Sequence, residues 1–151
     1  MPIPIKQNNK PIGLASDHAG FALKRHIMDL LGQQGIQYTD FGTFSEESAD
    51  YPDYGHKLGD AIDNSDCDWG IAICGSGNGI NMTLNKHSKV RSGLCWNKEI
   101  ARLVRLHNDA NVLAMPARFI TEQEARDIVE TFFNTEFEGG RHQTRIDKIP
   151  C

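Results

Sequence analysis

The sequence predicts an α/β fold: a three-layer, Rossmann-like sandwich in which a five-stranded parallel sheet carries helices on both faces. Three observations predict it. Short apolar runs alternate with stretches of helical spacing along the whole chain. Glycine and proline mark the joints between them. Two apolar runs open directly into polar or glycine-rich turns, as strands do at the ligand edge of a parallel sheet.

Residues 1–10 are rich in Pro, Asn and Lys and lack a signal-peptide core, so they read as a short flexible leader. Residues 11–151 then form one domain, with a C-terminal extension from about residue 138. The run 11–15 is the first strand, and Ser16 to Gly20 is a turn. Leu23, Ile27, Leu30 and Leu31 fall at i, i+4, i+7 and i+8, one face of a helix that Gly32 and Gly35 end. The run 36–41 is the second strand, closed by Gly42, and 45–52 is a polar loop. Tyr54, Leu58, Ala61 and Ile62 repeat the helical spacing. The run 69–73 is the third strand, and 80–86 continues as a helix. The fourth strand is 90–95. Ile100, Leu103, Val104 and His107 mark the next helix face. The fifth strand, 111–115, stops at Pro116. Thr121 and Glu124 form a capping box, followed by the apolar stripe Ala125, Ile128, Val129, Phe132 and Phe133.

The chain's 151 residues are 39% hydrophobic, enough for one core, with a formal net charge of −4. That balance gives no footprint for nucleic acid and no attraction to an acidic membrane. An anionic ligand must then be met by a local basic cluster. No apolar run approaches the ~20 residues that span a bilayer. The four cysteines show no CxxC or zinc spacing, which points to free thiols in a reducing cytoplasm.

The stretch Cys74-Gly75-Ser76-Gly77-Asn78-Gly79 leaves a strand and enters a helix, where free backbone N–H groups can hold an anion. It is not a dinucleotide fingerprint, since it follows the third strand and lacks the GxGxxG spacing. No Gly-Lys-Ser/Thr follows, so it is not a P-loop. Its plain alternative is a tight structural turn, but three glycines in five residues exceed what one turn requires. Cys74 at its entrance is either a small buried apolar residue or a thiol activated as base or nucleophile. Cys67 and Cys95 lack that setting and read as core or surface thiols.

Four further groups stand out. Asp17 caps the helix that follows it, or acts on the binding edge with His18, whose alternative is an exposed loop histidine. His107 extends an apolar helix face, so a satisfied core histidine is its ordinary role. It also stands just before the fifth strand, at the edge opposite Cys74, so a shared reaction requires a second subunit. Arg141 and Arg145, at i and i+4, are either a solvated tail or a phosphate clamp beside His142 and Lys148. Arg118, after the fifth strand, either joins that clamp or is a lone surface residue.

The set Ser16-Asp-His-Ala-Gly-Phe21, Asp50-Tyr-Pro52, Cys74 to Gly79, Asn85-Lys86, His107-Asn-Asp-Ala-Asn-Val112 and Gly139-Gly-Arg-His-Gln143 closely resembles type B ribose-5-phosphate isomerases, whose family also holds galactose-6-phosphate isomerase subunits. The likeness runs from about residue 11 to 149. It implies an aldose–ketose isomerase that needs no metal or cofactor and works through an enediol(ate). By that resemblance Cys74 is the base, supported by a Ser76 hydroxyl where many members have Thr. The turn Gly75, Gly77, Asn78 and Gly79 holds the enediolate oxygen. His107 opens the sugar ring with help from Asp17, and Asn108 binds substrate. His18, Arg118, Arg141 and Arg145 hold phosphate. Some members place a Glu just after the turn instead of the Cys; here that position is Ile80.

The resemblance also implies a homodimer or homotetramer with sites between subunits. Its substrate is a phosphorylated sugar, first ribose 5-phosphate in the pentose phosphate pathway. A six-carbon sugar phosphate (galactose or allose 6-phosphate) is the alternative within the family. Outside enzymes, the competing reading is a non-catalytic sugar-phosphate sensor.

Overall fold

The computed structural model describes residues 2–4 and 10–151. Its elements run β1 (Ile12–Ser16), α1 (Phe21–Gln33), β2 (Tyr38–Asp40), α2 (Tyr51–Asp63), β3 (Gly70–Cys74), α3 (Asn78–Leu84), β4 (Ser92–Leu94), α4 (Lys98–Leu106), β5 (Val112–Pro116), α5 (Glu122–Asn134) and α6 (Arg141–Ile146). The five strands form one sheet in the order β2-β1-β3-β5-β4, every pair parallel. The predicted α/β sandwich is therefore the observed one.

The three inner strands are buried at every residue, as expected where helices cover both faces. One core packs α1, α4 and α5 against the sheet through Ile27, Leu31, Ala101, Ile128 and Phe132. The other packs α2 and α3 through Leu58, Ile62, Ile80 and Leu84. The outer strands are shorter than the runs 36–41 and 90–95. Both are sheet edges, paired on one side only, and their flanks fold back onto helix ends: Ile36 N–H donates to Leu31 O and Val90 N–H to His87 O.

The expected leader falls partly on residues 1 and 5–9, outside the described residues. Of the rest, Ile3 is 4% exposed within the first core, and its N–H donates to Gln34 Oε1 at 2.8 Å. Among the described residues no helix is long and apolar enough to cross a membrane.

The strand order puts β2 on one side of β1 and β3 on the other. A crevice opens at such a reversal, outside the carboxyl ends of β1 and β3. Gly20 lets α1 start hard against that edge, since a Cβ there would lie 2.5 Å from the Ile73 carbonyl oxygen.

Lys24 locks the neighbouring loop. Its side chain, though on α1, is fully buried and donates to Asp40 Oδ1 and Thr43 O. Burial pushes its ammonium below the usual lysine range, while the Asp40 carboxylate opposes the shift. Thr43 N–H in turn donates to Ser16 O, tying the loop to the end of β1. Lys24→Met strands a half-buried carboxylate, so it should cost about 3 kcal/mol. A urea melt read by circular dichroism checks this; an unmoved midpoint would show the pair to be idle.

Candidate active site

Cys74 is the last residue of β3, in register with Pro116. The residue is 4% exposed, yet it lines an open cleft of ≈ 500 Å³. Asp17, Tyr51, Gly75, Ser76, Gly79, Arg118 and Phe119 complete the lining. The segment leaving β5 straps this turn: Ala117 N–H donates to Cys74 O at 2.9 Å and Arg118 N–H to Gly75 O at 3.0 Å. The strap sets the Arg118 side chain over Gly75, where a Cβ would come 3.3 Å from Nη1.

The glycines of the turn have separate causes. Gly77 holds φ at 77°, and a Cβ there would strike the Leu94 side chain and crowd the Met115 backbone. A Cβ on Gly79 would strike the Tyr51 ring. Close approach, more than turning, is what the excess of glycine serves.

Asp17 is not the N-cap of α1, which is Gly20, but it braces that cap. Its Oδ1 accepts the Gly20 N–H at 3.1 Å, holding the entry to α1, and the side chain faces the cleft. His18 Nδ1 lies 3.1 Å from Ala49 N and 3.2 Å from Ala49 O, which fixes the ring against the loop before α2. Ser76 is exposed, and its Oγ bonds the Asn78 N–H at 3.3 Å and Nδ2 at 3.4 Å rather than the Cys74 thiol.

The remaining thiols differ. Burial pushes Cys95 up to about 12, and burial with Asp66 and Asp68 nearby pushes Cys67 up to about 11. Both are inert side chains of the two cores.

The second group lies at the other end of the strands. His107 closes α4 as its C-terminal cap, and its ring stacks on His142 of α6, centroids 4.3 Å apart at 14°. Glu138 Oε2 lies 4.0 Å from His107 Nε2 and 3.7 Å from His142 Nε2. Burial lowers the His142 pKa, and the charges of His107 and Arg141 push the same way. Asn108 is exposed, and its carbonyl accepts from Arg91 Nε at 3.2 Å. Asp109, at φ 47°, is held by Arg91 and by the buried Arg105. Arg141 and Arg145 are exposed on α6.

One chain therefore brings together Cys74, the glycine turn, Asp17, Ser76 and Arg118, with His18 on the same edge. It does not bring them to His107, Asn108, Arg141 or Arg145. Four steps of β5 separate the two edges, about 13 Å of extended chain. Arg118 and the α6 arginines cannot form one clamp within a chain.

Sequence reasoning missed two cleft residues, Tyr51 and Phe119. Tyr51 stood in the Asp50-Tyr-Pro52 motif without a role. Phe119 gave no signal beyond following Arg118.

The family model described as Ribose/Galactose Isomerase matches residues 12–149. The chain belongs to this family. Ribose-5-phosphate isomerase B of Escherichia coli is 40% identical over 140 residues, 93% of this chain and 94% of that one. The solved ribose-5-phosphate isomerase B of Clostridium thermocellum superposes with a TM-score of 0.90 at 48% identity, covering 92% of this chain and 94% of the other. The Mycoplasma genitalium structure, which holds ribulose-5-phosphate, gives 0.87 at 42%, covering 92% and 93%. In this member of the ribose/galactose isomerase family the residue after the glycine turn, Ile80, is 0% exposed within the second core. No carboxylate enters the cleft from that position.

Proposed function

We propose that the chain interconverts ribose 5-phosphate and ribulose 5-phosphate through an enediol(ate), with Cys74 as the base. The carrying observation is the position of the thiol: on the wall of an open cleft, where β3 meets a turn of backbone amides. The thiolate takes the C2 proton of the open aldose, and the carbonyl oxygen O1 gains the charge. The amides of Gly75 to Gly79 hold that oxygen. Cys74 returns the proton to C1, the O2 proton passes to O1, and the ketose forms.

The ring must first open. His107 moves a proton between the anomeric hydroxyl and the ring oxygen, with Asp17 assisting. Since His107 and Cys74 stand at opposite edges of one chain, the site takes His107, Asn108, Arg141 and Arg145 from a second copy. A homodimer supplies the minimum, and a homotetramer pairs two of them. Phe119, 73% exposed on the cleft, and Trp96, 50% exposed in an adjoining pocket that Phe119 and Ser76 also line, offer apolar surface for that partner. His18 and Arg118 grip the phosphate from one subunit and the two α6 arginines from the other. Free thiols at Cys67, Cys74, Cys95 and Cys151 support work in the cytoplasm.

Rates on five- and six-carbon sugar phosphates test the substrate. Ribose 5-phosphate should lead allose or galactose 6-phosphate in kcat/KM by about tenfold or more, the worth of one extra carbon in a fitted pocket. The reverse order would give the six-carbon assignment. Binding of all three without turnover would give the sensor.

A further inference from the structure

We propose that His107, Glu138 and His142 form a binding site for a divalent ion of the zinc class. One ligand atom from each residue lies within 4.8 Å of the other two. Both Nε2 atoms face the same Glu138 oxygen, at 3.7 and 4.0 Å. Neither distance is a hydrogen bond. His142 makes the point sharply: the residue is 6% exposed, and its Nε2 is buried with no hydrogen-bond partner among the described residues. A buried ring nitrogen without a partner, close to a carboxylate and a second imidazole, is a place where a cation fits.

Two imidazoles and one carboxylate are a donor set that zinc accepts, with room for a fourth ligand from solvent. Bonds of about 2.0–2.1 Å in a tetrahedron set donors about 3.4 Å apart. The two distances to the carboxylate, 3.7 and 4.0 Å, are wider by a few tenths of an ångström, and all three donors lie within 4.8 Å of one another. The two rings stack nearly parallel, so binding requires the half-exposed His107 and Glu138 side chains to rotate until both Nε2 atoms point at one ion. Two imidazole nitrogens favour zinc, cobalt or nickel over magnesium or calcium, which prefer oxygen. The carboxylate supplies the negative charge that a cation needs against the nearby Arg141 and Arg145.

A metal there holds the His107 imidazole that is proposed to move a proton. Occupancy therefore inhibits the isomerase, a consequence that rests on the role proposed for His107; the binding itself does not. Co2+ titration of chelator-treated protein tests the site. One ion per chain is expected, with the intense visible bands of a four- or five-coordinate centre. Glu138→Gln, at an exposed side chain, keeps the fold and should weaken binding by about tenfold or more, since loss of even an outer-shell partner costs that much. His142→Asn should abolish it. No stoichiometric binding, equal binding in both variants, or a thiolate-to-cobalt band would overturn the proposal. Zn2+ should inhibit isomerisation reversibly to chelation, and Glu138→Gln should raise the inhibitory concentration in step with its cobalt affinity. Cobalt binding with the expected variant pattern in a protein without isomerase activity would leave the site standing and refute the enzyme reading.

Discussion

Cys74→Ala should lower kcat for ribose 5-phosphate by about 10³-fold, within the range a positioned general base supplies. KM should hold, because the thiol grips no part of the sugar phosphate in the ground state; loss of kcat at constant KM marks an interaction used only in the transition state. The fold should survive. The position is buried beside Ala15 and Ala72, and deleting one sulfur removes less than the methylene groups lost in a Leu→Ala change. Cys74→Ser is the sharper variant, since a hydroxyl fills the space without supplying a usable base. Cys67→Ala and Cys95→Ala are the controls: thiols held near 11 and 12 carry almost no thiolate at neutral pH. Alkylation should accordingly abolish activity in step with modification of Cys74, and substrate should slow it. Steady-state kinetics with stopped substrate series decide the matter. A Cys74→Ala protein that turns over normally would remove the thiol from the mechanism.

The sheet was legible where burial was complete. β1, β3 and β5 show as apolar runs because helices cover both of their faces, and no polar alternation interrupts them. The capping box of α5 was legible too, because Thr121 and Glu124 settle it between themselves, both bonds forming at 3.1 Å. The edge strands were overdrawn, because apolar content does not say where a partner strand ends. The strand order was not legible: nothing in residues 92–94 says that β4 pairs outside β5. Nothing in the sequence marks Lys24 or Arg105 as buried. Only the fold brings Asp40 and Thr43 to one, and Asp109, Ala110 and Thr135 to the other.

The chemical groups divide in the same way. Cys74 and Asp17 were placed together by a rule of parallel sheets that needs no side-chain detail. The separation of His107 was legible for a related reason, since a helix that feeds a strand ends at that strand's start. Its stacking on His142 was not, because it depends on α6 returning to α4 after the long excursion through α5.

That separation yields the second large effect. Cys74→Ala and His107→Asn proteins, each nearly inactive alone, should regain activity when unfolded together and refolded as a mixture. In a two-fold dimer each site takes its thiol from one chain and its imidazole from the other. A mixed dimer then holds one site with both substitutions and one with neither. Random pairing makes half of the dimers mixed, with one of two sites intact in each, so recovery should approach about a quarter of the wild-type rate. The recovered sites should show the wild-type KM, since Arg118 of one chain and the α6 arginines of the other are all present. A site contained within one chain gives no recovery at any ratio, because every chain then carries a defect of its own. Recovery that rises with the mixing ratio to its maximum at equal parts, and stays absent when the folded proteins are mixed without exchange, would establish that a second copy completes the cleft beside Cys74.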